Sequence, residues 1–276
     1  NKIYLGSNEI NKIYLGSTVV YDKTGPVSQV GDSIVYSLQT ADETINLTES
    51  TVTLDTVVQS DAATFSESSG VITVSTTGTY FIINHMAADR NTSGSNRTSV
   101  ETFLFINGSL VTGAYTDGYI RRTNGADEYS DCSYGIYDLT AGDTVEMRKL
   151  RINAAGSDGR LVGLSTTYIP AKTTLSMVRL DETAATCILE ANGTDTSSLT
   201  VTDAFVDQTW SVQTRVDSGY THVSGSANIQ LDAIGRYLVC YSNSWQRATD
   251  TATRTGVYER LDLSGSDVPG TFDNNY

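Results

Sequence analysis

The 276-residue sequence has few of the side chains that build metal centres and cross-links. It contains three cysteines, Cys132, Cys187 and Cys240, and two histidines, His85 and His222. The cysteines form no Cys-x-x-Cys pair and their number is odd, so neither a disulfide framework nor a structural zinc site is predicted. We expect three buried free thiols. We expect His85, which lies within an apolar run, to be a packed strand residue and not a ligand.

Basic residues are also scarce. There are 18 Lys and Arg against 32 Asp and Glu, which gives a net charge of −14. Nucleic-acid-binding proteins carry clustered Lys and Arg, and anionic membranes attract basic segments. No apolar run approaches the roughly 18 residues that a membrane-spanning helix needs. We therefore predict no nucleic-acid partner and no membrane insertion.

Motifs of catalysis are missing as well. The sequence has no Gly-x-Ser-x-Gly elbow, phosphate-binding loop or Rossmann fingerprint. Carboxylates are plentiful, so counting leaves a glycosidase pair open, but most fall in predicted turns, where Asp bonds to the local backbone. Asp117-Gly118 and Asp158-Gly159 could bind calcium or form turns, and the absence of a twelve-residue calcium loop favours turns. We predict a protein that is not an enzyme and has no catalytic residue, cofactor or metal.

The residues that are abundant favour β-strands. Ser and Thr make up about a quarter of the chain, and there are 16 tyrosines. Runs rich in Thr, Val, Ile and Tyr recur between Gly, Ser, Asn and Asp. Period-two alternation at 34–38 and 210–216 predicts strands with one buried face. Because no segment shows a sustained helical period, we predict an all-β chain built as antiparallel sandwiches.

Two segments predict details of the sheets. Phe103–Ile106 is apolar on both faces, which indicates a central strand, and the Asn107-Gly108 dipeptide after it predicts a tight hairpin. The alternation of Val145, Met147, Leu150 and Ile152 slips by one position, which predicts a β-bulge.

The N-terminus contains a short exact repeat. Asn-Lys-Ile-Tyr-Leu-Gly-Ser at 1–7 returns unchanged at 11–17. Each unit predicts a short strand followed by a turn, and two such strands cannot bury a core of their own. One interpretation is a frayed terminal hairpin; the one that we favour is an attachment element that docks on a partner. Its anchor residues would be Ile3, Tyr4, Leu5, Ile13, Tyr14 and Leu15.

A longer repeat has an offset of 157 residues. It carries Gly78-Thr79-Tyr80 to Gly235-Arg236-Tyr237, and Ile72, Val100, Gly108-Ser109 and Tyr119 to Ile229, Val257, Gly265-Ser266 and Tyr276. Two domains of one fold in tandem are therefore predicted. The predicted boundaries are 1–22 for the repeat, 23–32 for a linker, 33–180 for the first sandwich and 181–276 for the second. Because the first residue is Asn and the second copy lacks its last third, we expect a fragment that continues at least 60 residues beyond Tyr276.

Two motifs in the first copy resemble a known superfamily. Gly78-Thr79-Tyr80 and the later Leu139-Thr140-Ala141-Gly142-Asp143-Thr144-Val145 are similar to landmarks of the jelly roll of the complement component-one-q globular head and of tumour necrosis factor. The resemblance covers roughly 33–180. It implies a ten-strand sandwich assembled as a homotrimer. The aromatic residues expected at the trimer interface are Tyr80, Phe81, Phe103 and Phe105.

The N-terminal repeat, with Val19-Val20-Tyr21-Asp22 after it, resembles the start of bacteriophage virion proteins. This resemblance implies a head decoration, head fibre or tail fibre protein on the outer surface of the particle, with residues 1–22 bound to another virion protein. The alternatives are an adhesion module that contacts a host glycan or protein, a secreted trimeric ligand of a eukaryote, and a capsule depolymerase.

Overall fold

The computed structural model describes residues 3–5, 8–10, 12–15, 18–22, 34–38, 41–90, 98–120, 128–152, 159–161, 173–180, 185–191, 205, 207–233, 237–241, 257–268 and 273–275. These residues form strands and turns and contain no helix. The chain divides into two compact units, Asn1–Tyr237 and Leu238–Tyr276.

Among the described residues between 3 and 190 the strands are β1 (Ile3–Leu5), β2 (Asn8–Ile10), β3 (Lys12–Leu15), β4 (Thr18–Asp22), β5 (Ile34–Leu38), β6 (Glu43–Ile45), β7 (Ser50–Thr51), β8 (Thr56–Ser60), β9 (Phe65–Ser68), β10 (Val71–Val74), β11 (Gly78–Arg90), β12 (Thr98–Ile106), β13 (Ser109–Ile120), β14 (Glu128–Leu139), β15 (Thr144–Arg151), β16 (Gly159–Leu161), β17 (Thr174–Arg179) and β18 (Cys187–Glu190). The described residues further along the chain add β19 (Val212–Val216), β20 (Tyr220–His222), β21 (Ile229–Leu231), β22 (Val257–Glu259), β23 (Asp262–Leu263), β24 (Ser266–Asp267) and β25 (Asp273–Asn275).

Strands β5 to β17 form a sandwich of two antiparallel sheets. One sheet has the order β13-β12-β15-β10-β9, with β7 beside β15, and we call it the DE sheet. The other has the order β6-β16-β11-β17-β5-β8, with β14 on the far side of β11, and we call it the CF sheet. After β10 the chain crosses repeatedly between the two sheets, which is the connectivity of a jelly roll. The predicted all-β antiparallel jelly-roll fold is therefore confirmed.

The core lies between these sheets, and its residues alternate along each strand. In β10 Ile72 and Val74 are fully buried while Val71 and Thr73 are half-buried. The ring of Tyr80 meets that of Phe65 edge-on, at 5.8 Å between centroids and 71° between planes. The Tyr80 hydroxyl donates to the carbonyl of Thr76 at 2.5 Å, so its one polar atom is satisfied at the core's edge.

The predicted bulge in β15 is wrong. Strand β15 pairs with β12 from Val145 to Arg151 without a shift in register. The alternation slips because Lys149 occupies an inward position and is 1% exposed. Its ammonium bonds to the Glu43 carboxylate and to the Thr51 carbonyl, so an ion pair replaces an apolar side chain in the core.

The predicted hairpin after Phe103–Ile106 is confirmed. Strand β12 lies between β13 and β15, and the turn into β13 has φ of 52° at Asn107 and 70° at Gly108. The Asn107 side chain donates to Asp143 at 2.8 Å and accepts the Thr144 N–H at 2.9 Å. The turn is thereby tied to the start of β15.

The 157-residue repeat recurs in the strand pairing. In the first copy Val100 pairs with Gly118 and Ile106 pairs with Ser109; in the second, Val257 pairs with Asn275 and Leu263 pairs with Ser266, each partner shifted by 157. The turn dihedrals also recur, with φ of 53° at Ser264 and 79° at Gly265.

A side-chain bond recurs at the same offset. The Tyr237 hydroxyl donates to the carbonyl of Ala233, four residues earlier, as Tyr80 does to Thr76. Tyr237 also meets Tyr220 edge-on, at 6.0 Å and 74°. Gly235, which corresponds to Gly78 in this repeat, lies outside the described residues. The predicted domain boundaries stay predictions.

Two smaller expectations are wrong. The three cysteines are free, but Cys132 and Cys240 are exposed and Cys187 is half-buried. Asp117-Gly118 lies within β13 and forms no turn. Asp117 is tolerated because this side of the strand faces solvent. Gly118 is required by packing, since a Cβ there would meet the Tyr129 ring at 2.6 Å. Asp158 lies outside the described residues.

Candidate subunit interface

The outer face of the CF sheet carries large apolar side chains. Along β11, Tyr80, Ile82 and Asn84 are buried in the core, so Phe81 and Ile83 point to the opposite face, where they are half-buried. Their cross-strand partners on this face are Ile136 and Tyr134 of β14 and Val178 and Ser176 of β17. We call Phe81, Ile83, Tyr134, Ile136 and Val178 the CF patch.

Two members of the CF patch, Phe81 and Tyr134, are in ring contact. The rings of Phe81 and Tyr134 lie 6.3 Å apart at 44°. Strand β5 continues the sheet beside β17, with Ile34 in register with Val178 and Tyr36 in register with Ser176. Contiguous apolar surface of this kind is typical of protein interfaces and uncommon on monomers.

Polar groups border the CF patch at one end. Asp138 accepts a hydrogen bond from the Thr79 hydroxyl at 2.6 Å, and both of its carboxylate oxygens accept from Nη1 of Arg215, at 2.9 and 3.0 Å. These bonds hold the pKa of Asp138 below its ordinary value, with the Thr79 bond as the largest cause. Arg215 also bonds to Asp217, which in turn accepts the N–H and hydroxyl of Thr186. The segment around β18 and β19 is thus joined to the rim of the first sandwich.

The four aromatic residues predicted at a trimer interface lie in three different places. Tyr80 is fully buried in the core of its own chain, where it cannot contact another chain. Phe105 is 6% exposed and lies beneath the Arg148 guanidinium, which is 3.9 Å from the ring centre. Phe81 belongs to the CF patch, whereas Phe103 is half-buried on the outer face of the DE sheet. A single flat interface could therefore include Phe81 or Phe103 but not both.

The sequence prediction missed Tyr134, Ile136 and Val178. Tyr134-Gly-Ile136 alternates with period two, and that signal marks one face of a strand. It does not tell which face meets the core, because Gly135 and Tyr137 fill the other face in a similar pattern. The Tyr137 ring folds over Gly135, where a Cβ would meet its hydroxyl at 2.2 Å.

The predicted anchor residues lie on two separate hairpins. Ile3, Tyr4 and Leu5 form β1, which pairs with β2; Ile13, Tyr14 and Leu15 lie in β3, which pairs with β4. Each unit of the exact repeat is therefore the first strand of a hairpin. The side chains of these strands lie outside the described residues.

A group of carboxylates lies where the edges of the two sheets meet. Glu101 of β12 is directly opposite Asp117 of β13, and burial raises the pKa of both, with the Asp117 charge adding to the shift of Glu101. Asp131 of β14 accepts the N–H groups of Cys132 and Asp117. Burial, then the charges of Asp131 and Asp117, raise the pKa of Tyr129 to about 12.

Within the described residues, no group of three or more His, Cys, Asp or Glu has the geometry to hold a metal ion. The described residues also contain no helix that is long and apolar enough to cross a bilayer.

Comparison with known proteins leaves the family open. No protein-family model matches the chain, and no curated protein matches it. Solved structures with a similar fold include murine APRIL, at 15% identity and a TM-score of 0.36, covering 54% of this chain and 98% of that one. Another is the Eiger TNF from S. frugiperda, at 15% identity and a TM-score of 0.37, covering 55% and 94%. Identities and TM-scores this low carry no conclusion about function.

Proposed function

We propose that the chain is a non-enzymatic structural component of a bacteriophage virion. It acts as a trimeric fibre or decoration protein, attached through residues 1–22 to another virion protein, and its jelly-roll domains project outward. The secreted-ligand and depolymerase alternatives have no support in the residues discussed above.

The observation that carries this proposal is the architecture of the N-terminal repeat. Its two hairpins have strands of three to five residues, and among the described residues each pairs only within itself. A two-stranded hairpin of this length is marginal in water, so it gains stability by docking on another surface. The free edge of such a hairpin has unpaired backbone N–H and C=O groups, which can pair with a strand of the partner protein.

The CF patch supports trimer formation. It supplies a contiguous apolar face outside the core, and obligate interfaces resemble a core that has been cut in half. Because the face is crossed by three strands, a second copy could bury it without rearranging the sandwich. The net charge of −14 favours solubility of a protein displayed at high local concentration.

The experiment is localisation on purified virions. Full-length protein carrying a gold label at a surface cysteine should be seen by electron microscopy on the outside of the particle. A chain without residues 1–22 should fold, as judged by circular dichroism, but should no longer bind particles that lack the protein. If the truncated chain occupied such particles fully, residues 1–22 would not be the anchor; if full-length protein were absent from virions, the proposed function would be wrong.

A second candidate function is adhesion to a host surface. The observation that favours it is the pair of exposed rings, Tyr115 and Tyr119, each 45% exposed on one face of β13.

A further inference from the structure

Strand β13 presents a regular stripe of polar and aromatic side chains to solvent. Its odd-numbered positions from Tyr115 to Tyr119 are exposed, while Ala114, Thr116, Gly118 and Ile120 are buried. Tyr115, Asp117 and Tyr119 therefore share one face, with the two tyrosines roughly 14 Å apart along the strand. We call these three residues the β13 stripe.

Neighbouring residues hold the β13 stripe in place. The Tyr115 ring leans on that of Phe103, at 6.5 Å between centroids and 32° between planes. Glu101 lies opposite Asp117, so two carboxylates face each other on the same surface. Like charges directly opposite on a sheet are destabilising. Arg148, the cross-strand neighbour of Phe103, is already bonded to Glu146 and Glu49.

This arrangement costs stability, and no basic group among the described residues offsets it. Burial raises the pKa of both Glu101 and Asp117, and no basic group of the described residues acts against either shift. Exposed aromatic rings next to hydrogen-bond acceptors are the components of a recognition surface: apolar contact area with a few polar groups that fix orientation.

The sequence of the second copy repeats this order of residues. At the offset of 157, Tyr115, Asp117 and Tyr119 correspond to Phe272, Asn274 and Tyr276. Strand β25, which contains Asn274, pairs with β22 in the register that β13 has with β12. The aromatic positions are kept, and the acid between them becomes an amide. In sequence, both copies therefore have two aromatic residues on either side of a side chain that can accept hydrogen bonds, and only the first copy has a negative charge there.

We propose that the β13 stripe binds a neutral glycan. Sugar rings would stack on Tyr115 and Tyr119, and their hydroxyls would donate hydrogen bonds to Asp117 and Glu101. An anionic glycan is disfavoured by the two carboxylates. A cationic peptide is disfavoured because Asn274 replaces the acid in the second copy. Addition of a peptide strand is disfavoured because Asp131 already accepts the outward N–H of Asp117. This inference rests on the adhesion candidate of the proposed function.

The test uses the full chain with Phe272→Ala and Tyr276→Ala, which removes the corresponding aromatic residues of the second copy. Binding to short neutral hexose oligosaccharides, sialylated oligosaccharides and oligolysine is measured by array and then by calorimetry. At least one neutral oligosaccharide should bind, and Tyr115→Ala or Tyr119→Ala should each weaken it by about tenfold. Leu110→Ala, at a residue 53% exposed on the same strand, is the matched control and should leave binding unchanged.

Asp117→Asn separates the glycan from a cation. It should retain neutral-glycan binding, as the second copy carries Asn, and it should weaken any oligolysine binding. The inference is overturned if no neutral oligosaccharide binds, if the tyrosine variants bind as tightly as the control, or if oligolysine is the only ligand. Because these outcomes leave the particle-labelling result untouched, failure of this inference is distinguishable from failure of the virion assignment.

Discussion

Replacing Glu43 with Gln should destabilise the first sandwich more than removing its partner, Lys149. The Lys149 side chain is 2% exposed and that of Glu43 is 25% exposed, so the two ends of the ion pair differ in their access to water. In Glu43→Gln the buried ammonium keeps its charge and is left with the Thr51 carbonyl at 3.0 Å and a neutral amide. Breaking a buried pair in this way costs about 3 kcal/mol.

Lys149→Met removes the charge that is hard to solvate. The apolar side chain has a similar length, and the remaining Glu43 carboxylate can still accept the N–H and hydroxyl of Thr53, at 3.0 and 3.3 Å, and reach solvent. We expect a loss below about 1 kcal/mol. The double variant that combines Glu43→Gln with Lys149→Met should be more stable than Glu43→Gln alone, because it no longer contains an uncompensated buried cation.

The assay is urea unfolding at neutral pH and one protein concentration, since any oligomer makes stability depend on concentration. Glu49→Gln is the control: it removes a carboxylate that is 38% exposed and pairs with Arg148 at 2.8 Å. An exposed pair of this kind contributes less than about 1 kcal/mol. The reasoning is refuted if Lys149→Met is the more damaging change, or if Glu43→Gln behaves like Glu49→Gln.

Three further predictions concern other parts of the first sandwich. Phe81→Ser should shift the protein from trimer to monomer in light scattering, whereas Leu110→Ser should not; an unchanged trimer would remove the CF patch from the interface. Asp117→Asn should raise stability at pH 7, because the raised pKa values of Asp117 and Glu101 mean that ionisation of this pair opposes folding. This penalty disappears as the pH falls through those pKa values. A loss of stability in thermal unfolding at pH 7 would contradict the prediction. Gly108→Ala should cost about 1 kcal/mol in urea unfolding, because φ is +70° at this residue. The new Cβ would contact no other atom, so the loss would come from the backbone conformation alone. An unchanged unfolding midpoint would mean that the turn relaxes.

Local chemistry explains which parts of the fold could be predicted. The hairpin at Asn107-Gly108 follows from two residues that tolerate positive φ, and Gly265 supplies the same property at the equivalent turn of the second copy. The offset of 157 could be found because turn residues and core positions both repeat. These signals depend on near neighbours in the sequence, so tertiary contacts do not obscure them.

The misassigned residues depend on contacts that are distant in sequence. Lys149 is buried because Glu43, more than a hundred residues earlier, is placed beside it, and no pattern within β15 reveals that partner. Tyr80 and Phe81 are both aromatic, and only the packing of Tyr80 on Phe65 decides which of them faces the core. The sequence could therefore predict an apolar strand at this position, but not which of its faces stays available for another chain.

The matching hairpins of the two copies also bear on folding. Strands that share a turn and a pairing register can exchange partners, and tandem domains that resemble each other misfold by such swaps. Here the exchange is opposed by one position. Thr102, fully buried and bonded to Thr116 at 2.6 Å, corresponds to Glu259. A swapped β22 would bring a carboxylate into the first core at a cost of several kcal/mol, so divergence between the copies protects each of them from pairing with the wrong half of its own chain.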